Sequence, residues 1–375
     1  MPRVIRSSDI VVVGAGVVGS AVAYELARRG ASVSVLDARS PGDGATQASG
    51  GMLAPYTEAA DGGALLTLGV RSLALCRAFA ETVQSESGID VNFRETGSLH
   101  IARSESALAH LDLTRATLAA LDVPAVPLLP ADVRAHEPYV TSDVHGGLLL
   151  PTQALVSAPA LTRALIAAAP QRGALLLEPS HVNRLAQNGP AVVIDTDRGP
   201  LQARVVVLAT GAWSGTIAID GVKDSVPVTP IRGQLLHLGW SGTPISRITW
   251  DDRCYVVPWQ DGTLLVGATT EDVGFDERTT AVGVRELLEA VCDLCPHAGT
   301  AHLASARAGL RPATPDGLPV IGWSSVAPGV MYATGHYRNG VLLAPLTAQL
   351  VADAVLDHRN DPALDITDPG RFGRL

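Results

Sequence analysis

DIVVVGAGVVGSAVAYELARRGASVSVLDAR, residues 9–39, is the stretch from which the fold can be read. Asp9 to Val13 is a short apolar run rich in β-branched residues, which reads as a strand. It leads directly into Gly14-Ala15-Gly16-Val17-Val18-Gly19 and then a helical stretch from Ser20 to Arg29. Gly14 permits the tight turn, Gly16 lets the backbone approach a pyrophosphate, and Gly19 lets the helix pack close to the strand. Amides at the helix N-terminus then face the phosphates. Gly30 stops the helix and a second strand runs from Ser32 to Leu36. Asp37 follows, where a carboxylate reaches both hydroxyls of an adenosine ribose. Asp37 also argues against a ribose 2′-phosphate, with Arg39 the one nearby residue pulling the other way. The alternative, a glycine turn without a ligand, leaves the register of strand, turn, helix and acid unexplained.

Composition bounds what surrounds this unit. At 375 residues and 47% hydrophobic, the chain can fill more than one core, so two domains are expected. A formal charge of -9 without a basic stripe excludes nucleic acid as an expected partner. Crossing a bilayer takes roughly 20 apolar residues. Apolar runs such as Val205 to Ala209 fall well short of that, so no membrane span is expected. The opening MPRVIRSSD is polar and lacks an apolar signal region, which places the expected location in the cytoplasm. Cys76, Cys254, Cys292 and Cys295 are too few and scattered for a disulfide framework. Cys292-x-x-Cys295 with His297 lacks the second ligand pair of a zinc site, and no metal is expected. Cys292 reads instead as lying on the buried face of a helix through Arg285 to Ala290, closed by Pro296.

The first unit alone leaves NAD and FAD both open. Three further segments bear on the choice. Gly42 to Pro55, GDGATQASGGMLAP, is small and glycine-rich, able to run beneath a flat ring system with its amides exposed. Ala203 to Leu208 reads as a strand ending in Ala209-Thr210-Gly211 at the same sheet edge. Val330 to Ala333 leads through Thr334-Gly335-His336-Tyr337-Arg338-Asn339-Gly340 into a helix from Val341 to Leu356. That helix N-terminus is placed to stabilise negative charge on a reduced flavin. An NAD dehydrogenase has no use for the two later junctions. Val226 to Ala268 alternates as strands with a turn at Asp261-Gly262, which fits an antiparallel sheet roofing the ring.

Taken in order, GAGVVG (14–19), GGMLAP (50–55), IRGQ (231–234), CYVVP (254–258), LLVGATTEDVGFD (264–276), GLRPATPDGLPVIG (309–322) and GHYRNGVLLAP (335–345) span essentially the whole chain. With them the chain resembles the D-amino-acid oxidase superfamily, and GGMLAP with GHYRNGVLLAP most resembles the glycine oxidases associated with thiamine biosynthesis. The resemblance implies an α/β fold, with an FAD-binding Rossmann-like domain of the glutathione-reductase type interleaved with an α+β substrate domain on an antiparallel sheet. The FAD domain would draw on residues 1–85, 150–225 and 305–375, the substrate domain on 86–149 and 226–304. Relatives often carry Glu where Asp37 stands. No Cys lies in or beside GLRPATPDGLPVIG, where monomeric sarcosine oxidases attach flavin, so noncovalent FAD is implied.

The implied FAD contacts are Gly14, Ala15, Gly16, Val17, Val18, Gly19, Asp37, Ala38, Arg39, Thr46, Ser49, Gly50, Gly51 and Met52. Further along they are Val182, Ala209, Thr210, Gly211, Trp213, Arg311, His336, Tyr337, Arg338, Asn339, Gly340 and Val341. A free amino acid presents a carboxylate that Arg binds bidentately better than Lys. By resemblance Arg311 is the carboxylate-binding arginine, Tyr255 adds a hydroxyl, and Arg338 approaches from the other side. Met52 and Ala54 would flank the pocket and Glu58 would approach the substrate amine. His336 and His237 invite a general-base reading. In this superfamily hydride leaves to flavin without an enzymic base, so His336 is read as a turn residue against the flavin.

The implied reaction oxidises glycine or a small amino acid to an imine, with oxygen as electron acceptor and hydrogen peroxide, a 2-oxo acid and ammonia as products. The alternatives are a sibling acting on a larger D-amino acid, on an N-methyl amino acid (an enzyme of the sarcosine or proline type), or on a 2-hydroxy acid, as oxidase or dehydrogenase. A noncatalytic flavin-binding protein would have lost the clamp formed by Arg311, Tyr255 and Arg338. Family members are often homotetramers, so an oligomer is expected.

Overall fold

The computed structural model describes residues 6–58, 62–177, 179–240 and 245–375. Two large sheets carry the chain. The first has nine strands, and at its centre Arg6–Val13 lies parallel to Val33–Leu36 on one side and Leu201–Leu208 on the other. Val330–Thr334 pairs in parallel with the end of Leu201–Leu208. Both faces of this sheet are covered, as a parallel sheet requires. Side chains alternate across the strand, so Ile10 and Val12 enter the core beneath the helices while Val11 and Val13 enter the core on the opposite face. The helix Val17–Arg28 packs against Gly340–Leu356, whose length is buried almost entirely. Each fully buried Val or Leu here contributes about 1.5–3 kcal/mol relative to exposure.

The helix Gly63–Ser87 was not foreseen. Over an 18-residue window its mean hydropathy is 1.4, long and apolar enough to cross a membrane by length and composition, contrary to the expectation from short runs. Its buried residues Leu66, Gly69, Ser72, Cys76, Ala80 and Val83 recur every three or four positions and pack toward Gly340–Leu356. The opposite stripe carries exposed Arg71 and Arg77. That pattern is the one made by a helix resting on a core.

The second sheet has eight strands in the order His302–Ala313, Thr229–Gly239, Thr263–Gly267, Tyr255–Pro258, Ile248–Trp250, Ser98–Ala102, Gly146–Leu150 and Val126–Leu128. It is antiparallel except where Ile248–Trp250 lies parallel to Ser98–Ala102. One face packs Leu236, Val256 and Val266 against the helix Ala281–Leu294. The other presents Leu235, Val257 and Leu265, with Tyr255, Trp250 and Met52 packed beside them.

Two strands of the second sheet run across expected domain boundaries. His302–Ala313 pairs along its length with Thr229–Gly239, from Thr229↔Ala313 to Gly239↔His302, so a division at 305 cuts a strand of the second sheet. A division at 150 likewise cuts Gly146–Leu150, which pairs with Ser98–Ala102. The glycine-rich segment 42–55 contains a 3-10 turn at Ala45–Ala48 and a strand Met52–Leu53 paired to Ala154–Leu155. Cys292 is only half-buried, and Cys295 is the thiol wholly inside the core, because the helix continues to Leu294 and turns its face inward there.

Candidate active site

A cavity of about 710 Å³ opens between the two sheets. That volume is of the size usual for ligand and cofactor clefts. Its walls come from the strand ends and glycine junctions. Gly14 sits at φ +105, and a Cβ there would lie 2.4 Å from the carbonyl oxygen of Ala209, so only glycine brings the first strand's turn this close to its neighbour. At Gly19 a Cβ would lie 1.9 Å from the Gly14 oxygen, which shows how tightly helix and strand are docked. Gly16 faces open space, where a Cβ would meet only Thr46 Oγ1, at 3.5 Å.

The Asp37 carboxylate accepts from the amides of Ala15 (2.6 Å) and Arg39 (2.9 Å), which hold it at the cavity wall. Thr46 Oγ1 accepts from the amide of Val17 (3.0 Å), tying the glycine-rich segment to the helix start. These features fit an FAD molecule. An acid for the ribose, helix-terminal amides beside an uncrowded glycine for the pyrophosphate, and glycines of both sheets for a flat ring all line the one cavity.

Tyr255, Arg311, Arg338 and Glu58 line the same cavity as mutually interacting groups. The tyrosine ring crosses Gly267 on the neighbouring strand, where a Cβ would lie 2.3 Å from the hydroxyl, and rests against Gly50. The Arg311 guanidinium lies over Gly233 in the same manner, and its Nη1 donates to the carbonyl of Thr269 (3.0 Å) and, longer, to that of Arg232 (3.4 Å). Arg338 Nη2 donates to Thr270 Oγ1 (3.0 Å), and Arg338 Nη1 lies 3.9 Å from the Glu58 carboxylate. Burial raises the Tyr255 pKa and lowers that of Arg311. Burial also raises that of Glu58, opposed by Arg338 and Arg311. For Arg338 burial opposes the charge, yet Glu58 and Tyr337 outweigh it and the net shift is upward.

Of the residues singled out from sequence as cofactor or substrate contacts, all but three line this one cavity. Ala15 and Gly19 stand behind the wall, where they shape the turn. Ala54 is a correction: it is 1% exposed and does not reach the cavity, because the strand Met52–Leu53 turns it inward at the start of Pro55–Glu58. His336 borders the cavity but is buried, its Nε2 paired with Thr347 Oγ1 (3.0 Å) in the following helix. Trp250, Cys254, Gly267, Thr270 and Glu277 also line the cavity and were missed. Several fall inside or beside CYVVP and LLVGATTEDVGFD, but nothing in those segments indicates which side chain faces inward.

Burial pushes His336 down to about 4. The unfolded chain protonates a histidine near 6.5, so between about 6.5 and 4 it binds a proton that the folded chain refuses, and stability falls as pH drops through that window. Urea titrations at pH 7 and pH 5 are expected to differ by about 2 kcal/mol on account of this residue. His336→Gln should remove that share and leave the similar share of His100, which burial also pushes down to about 4. An unchanged difference in the variant would assign it to other groups.

Residues 9–354 match the model of the FAD dependent oxidoreductase family. A protein named glycine oxidase from Geobacillus kaustophilus is 34% identical over 96% of this chain and 95% of its own length. The crystal structure of glycine oxidase from that organism superposes with a TM-score of 0.93 at 33% identity, covering 98% of this chain and 99% of the other. The bifunctional protein ThiO/ThiG of Nostoc sp. is 36% identical over 95% of this chain, and the chain spans 54% of its length. The chain belongs to the FAD dependent oxidoreductase family.

Proposed function

We propose that the protein oxidises glycine or a comparably small amino acid, using noncovalent FAD and oxygen, to the imine and thence to a 2-oxo acid, ammonia and hydrogen peroxide. The observation that carries this reading is that Arg311, held by the carbonyls of Thr269 and Arg232, and Tyr255, packed across Gly267, line the same cavity as Asp37. Its similarity to proteins named glycine oxidase supports the choice of substrate. FAD, when bound, accepts a hydride from the substrate α-carbon and delivers the electrons to oxygen.

The protein's own residues bind and orient. Arg311 is anchored through Nη1 to two backbone carbonyls, so its remaining donors meet a carboxylate without first having to be ordered. The Tyr255 hydroxyl, kept protonated by burial, donates to the same carboxylate. Arg311 and Arg338 outnumber Glu58, so positive charge is in excess there, which complements an ionised substrate carboxylate. Glu58 faces the amine and steadies Arg338. The Tyr255 ring is fixed in place between Gly267 and Gly50, with the Trp250 ring centroid 4.9 Å away.

The first sheet with its helices is the proposed FAD domain and the second sheet the proposed substrate domain. The cysteines are unpaired thiols, which supports a reducing compartment such as the cytoplasm. An oligomer remains part of the proposal from kinship.

The test is peroxide release by the yellow, FAD-loaded protein against glycine, sarcosine, proline, D-amino acids and 2-hydroxy acids. Glycine is expected to lead. Turnover confined to larger substrates would move the reading to a sibling oxidase, and reduction of the bound FAD under nitrogen without peroxide in air would make the protein a dehydrogenase.

A further inference from the structure

Around Arg39 the cavity is bordered by residues from both sheets. Arg39, just beyond the second strand of the nucleotide unit, directs Nη1 to both carboxylate oxygens of Glu277 (3.1 and 2.9 Å). Its guanidinium also lies 4.3 Å over the ring of Trp213. Trp213 in turn packs against Phe275 with ring centroids 5.9 Å apart. Arg39 and Trp213 belong to the first sheet's strand-end loops, whereas Phe275 and Glu277 belong to the segment between Thr263–Gly267 and Ala281–Leu294. Arg39, Trp213 and Glu277 all line the cavity.

That segment is anchored behind. Arg232, 4% exposed, pairs with Glu271 (2.5 Å) and Asp276 (3.1 Å) and donates to the carbonyl of Arg278 (3.1 Å). Gln234 Nε2 donates to the Glu271 carboxylate and to Thr280 Oγ1, and its Oε1 accepts from the Thr280 amide. The strap therefore reaches Arg39 already shaped, and closing the contact costs little side-chain ordering.

We infer that Arg39, Trp213, Phe275 and Glu277 form a clasp between the two sheets that retains the adenosine half of FAD. This rests on the reading that Asp37 marks the ribose end of the cavity. The cofactor would leave through this end only when the Arg39–Glu277 pair and the Arg39–Trp213 stack separate, so the clasp sets its rate of escape. The cation–π contact fixes the guanidinium plane, and the carboxylate of the strap closes on it. It also occupies Arg39 with a carboxylate, which leaves it unsuited to a 2′-phosphate.

The test follows FAD release from the holoenzyme by the recovery of flavin fluorescence after dilution. Glu277→Gln is expected to speed release about fivefold, the scale of a partly exposed ion pair reinforced by stacking. Raising salt should speed release from the wild type and do little to the variant. Arg39→Gln and the double variant complete a cycle in which the two single effects are not additive. A Glu277→Gln release rate equal to wild type, or additive effects, would overturn the clasp. A wild-type protein that does not hold FAD would overturn instead the assignment of the cavity, a separate failure visible before any variant is made.

Discussion

Arg311→Met is expected to lower kcat/KM for glycine by about a thousandfold while leaving the FAD content and its absorption spectrum in place. Removing one partner of a buried, hydrogen-bonded charge pair costs about 2–5 kcal/mol. A loss of about 1.4 kcal/mol in transition-state binding is a factor of ten in rate. The guanidinium lies in a wall made by Gly233 and the carbonyls of Thr269 and Arg232, while the neighbouring cation, Arg338, is engaged with Thr270 and Glu58. Without Arg311 a substrate carboxylate would be desolvated against Tyr255 alone. Arg311→Lys should recover only part of the loss, because an ammonium cannot supply the planar fork. The measurement is steady-state peroxide release together with the flavin absorbance of each purified variant. Retained activity in Arg311→Met would end the assignment of this residue to the substrate carboxylate.

The second large effect requires no change to any polar group. Gly233→Ala is expected to reduce kcat/KM about a hundredfold, the scale on which a displacement of about 1 Å in a positioning group is felt. A Cβ at 233 would lie 2.2 Å from Nη2 of Arg311 and 2.3 Å from its Cζ. The end of an arginine side chain can swing aside, so the fold absorbs the methyl cheaply while the guanidinium leaves its place. Thermal midpoint and FAD content should therefore change little while KM rises. A variant that unfolds would mean that the strand pairing Gly233↔Gly309 has no slack, and a variant with normal kinetics would show that Arg311 need not lie where it does.

Gly233 illustrates how far the sequence could be read. IRGQ stood out as a segment, and Arg311 as the cation an amino acid needs. Neither segment showed that the glycine makes room for the arginine, since they lie far apart in the chain and meet only because two strands pair in one register. The nucleotide end differs. Asp9 to Arg39 contains its strand, turn, helix and acid within one contiguous unit, and their relations follow from local spacing. The strands, the helix and the inward set of glycines could be named before any coordinate was known.

Ala54 and Glu277 mark the limit in opposite directions. Ala54 belonged to a matching motif and proved buried away from the cavity, because the direction of one short strand's side chains depends on its pairing with Ala154–Leu155. Glu277 attracted no notice in an exposed, acidic stretch and proved to face Arg39, because Arg232 holds the strap in place. What the sequence by itself determined was the nucleotide unit, the family and the chemical types present at the site, all carried by short-range periodicity and contiguous motifs. Which side chains face one another across the cavity was decided only by the tertiary structure, since strand register and the docking of one sheet on another are set by packing over the whole chain.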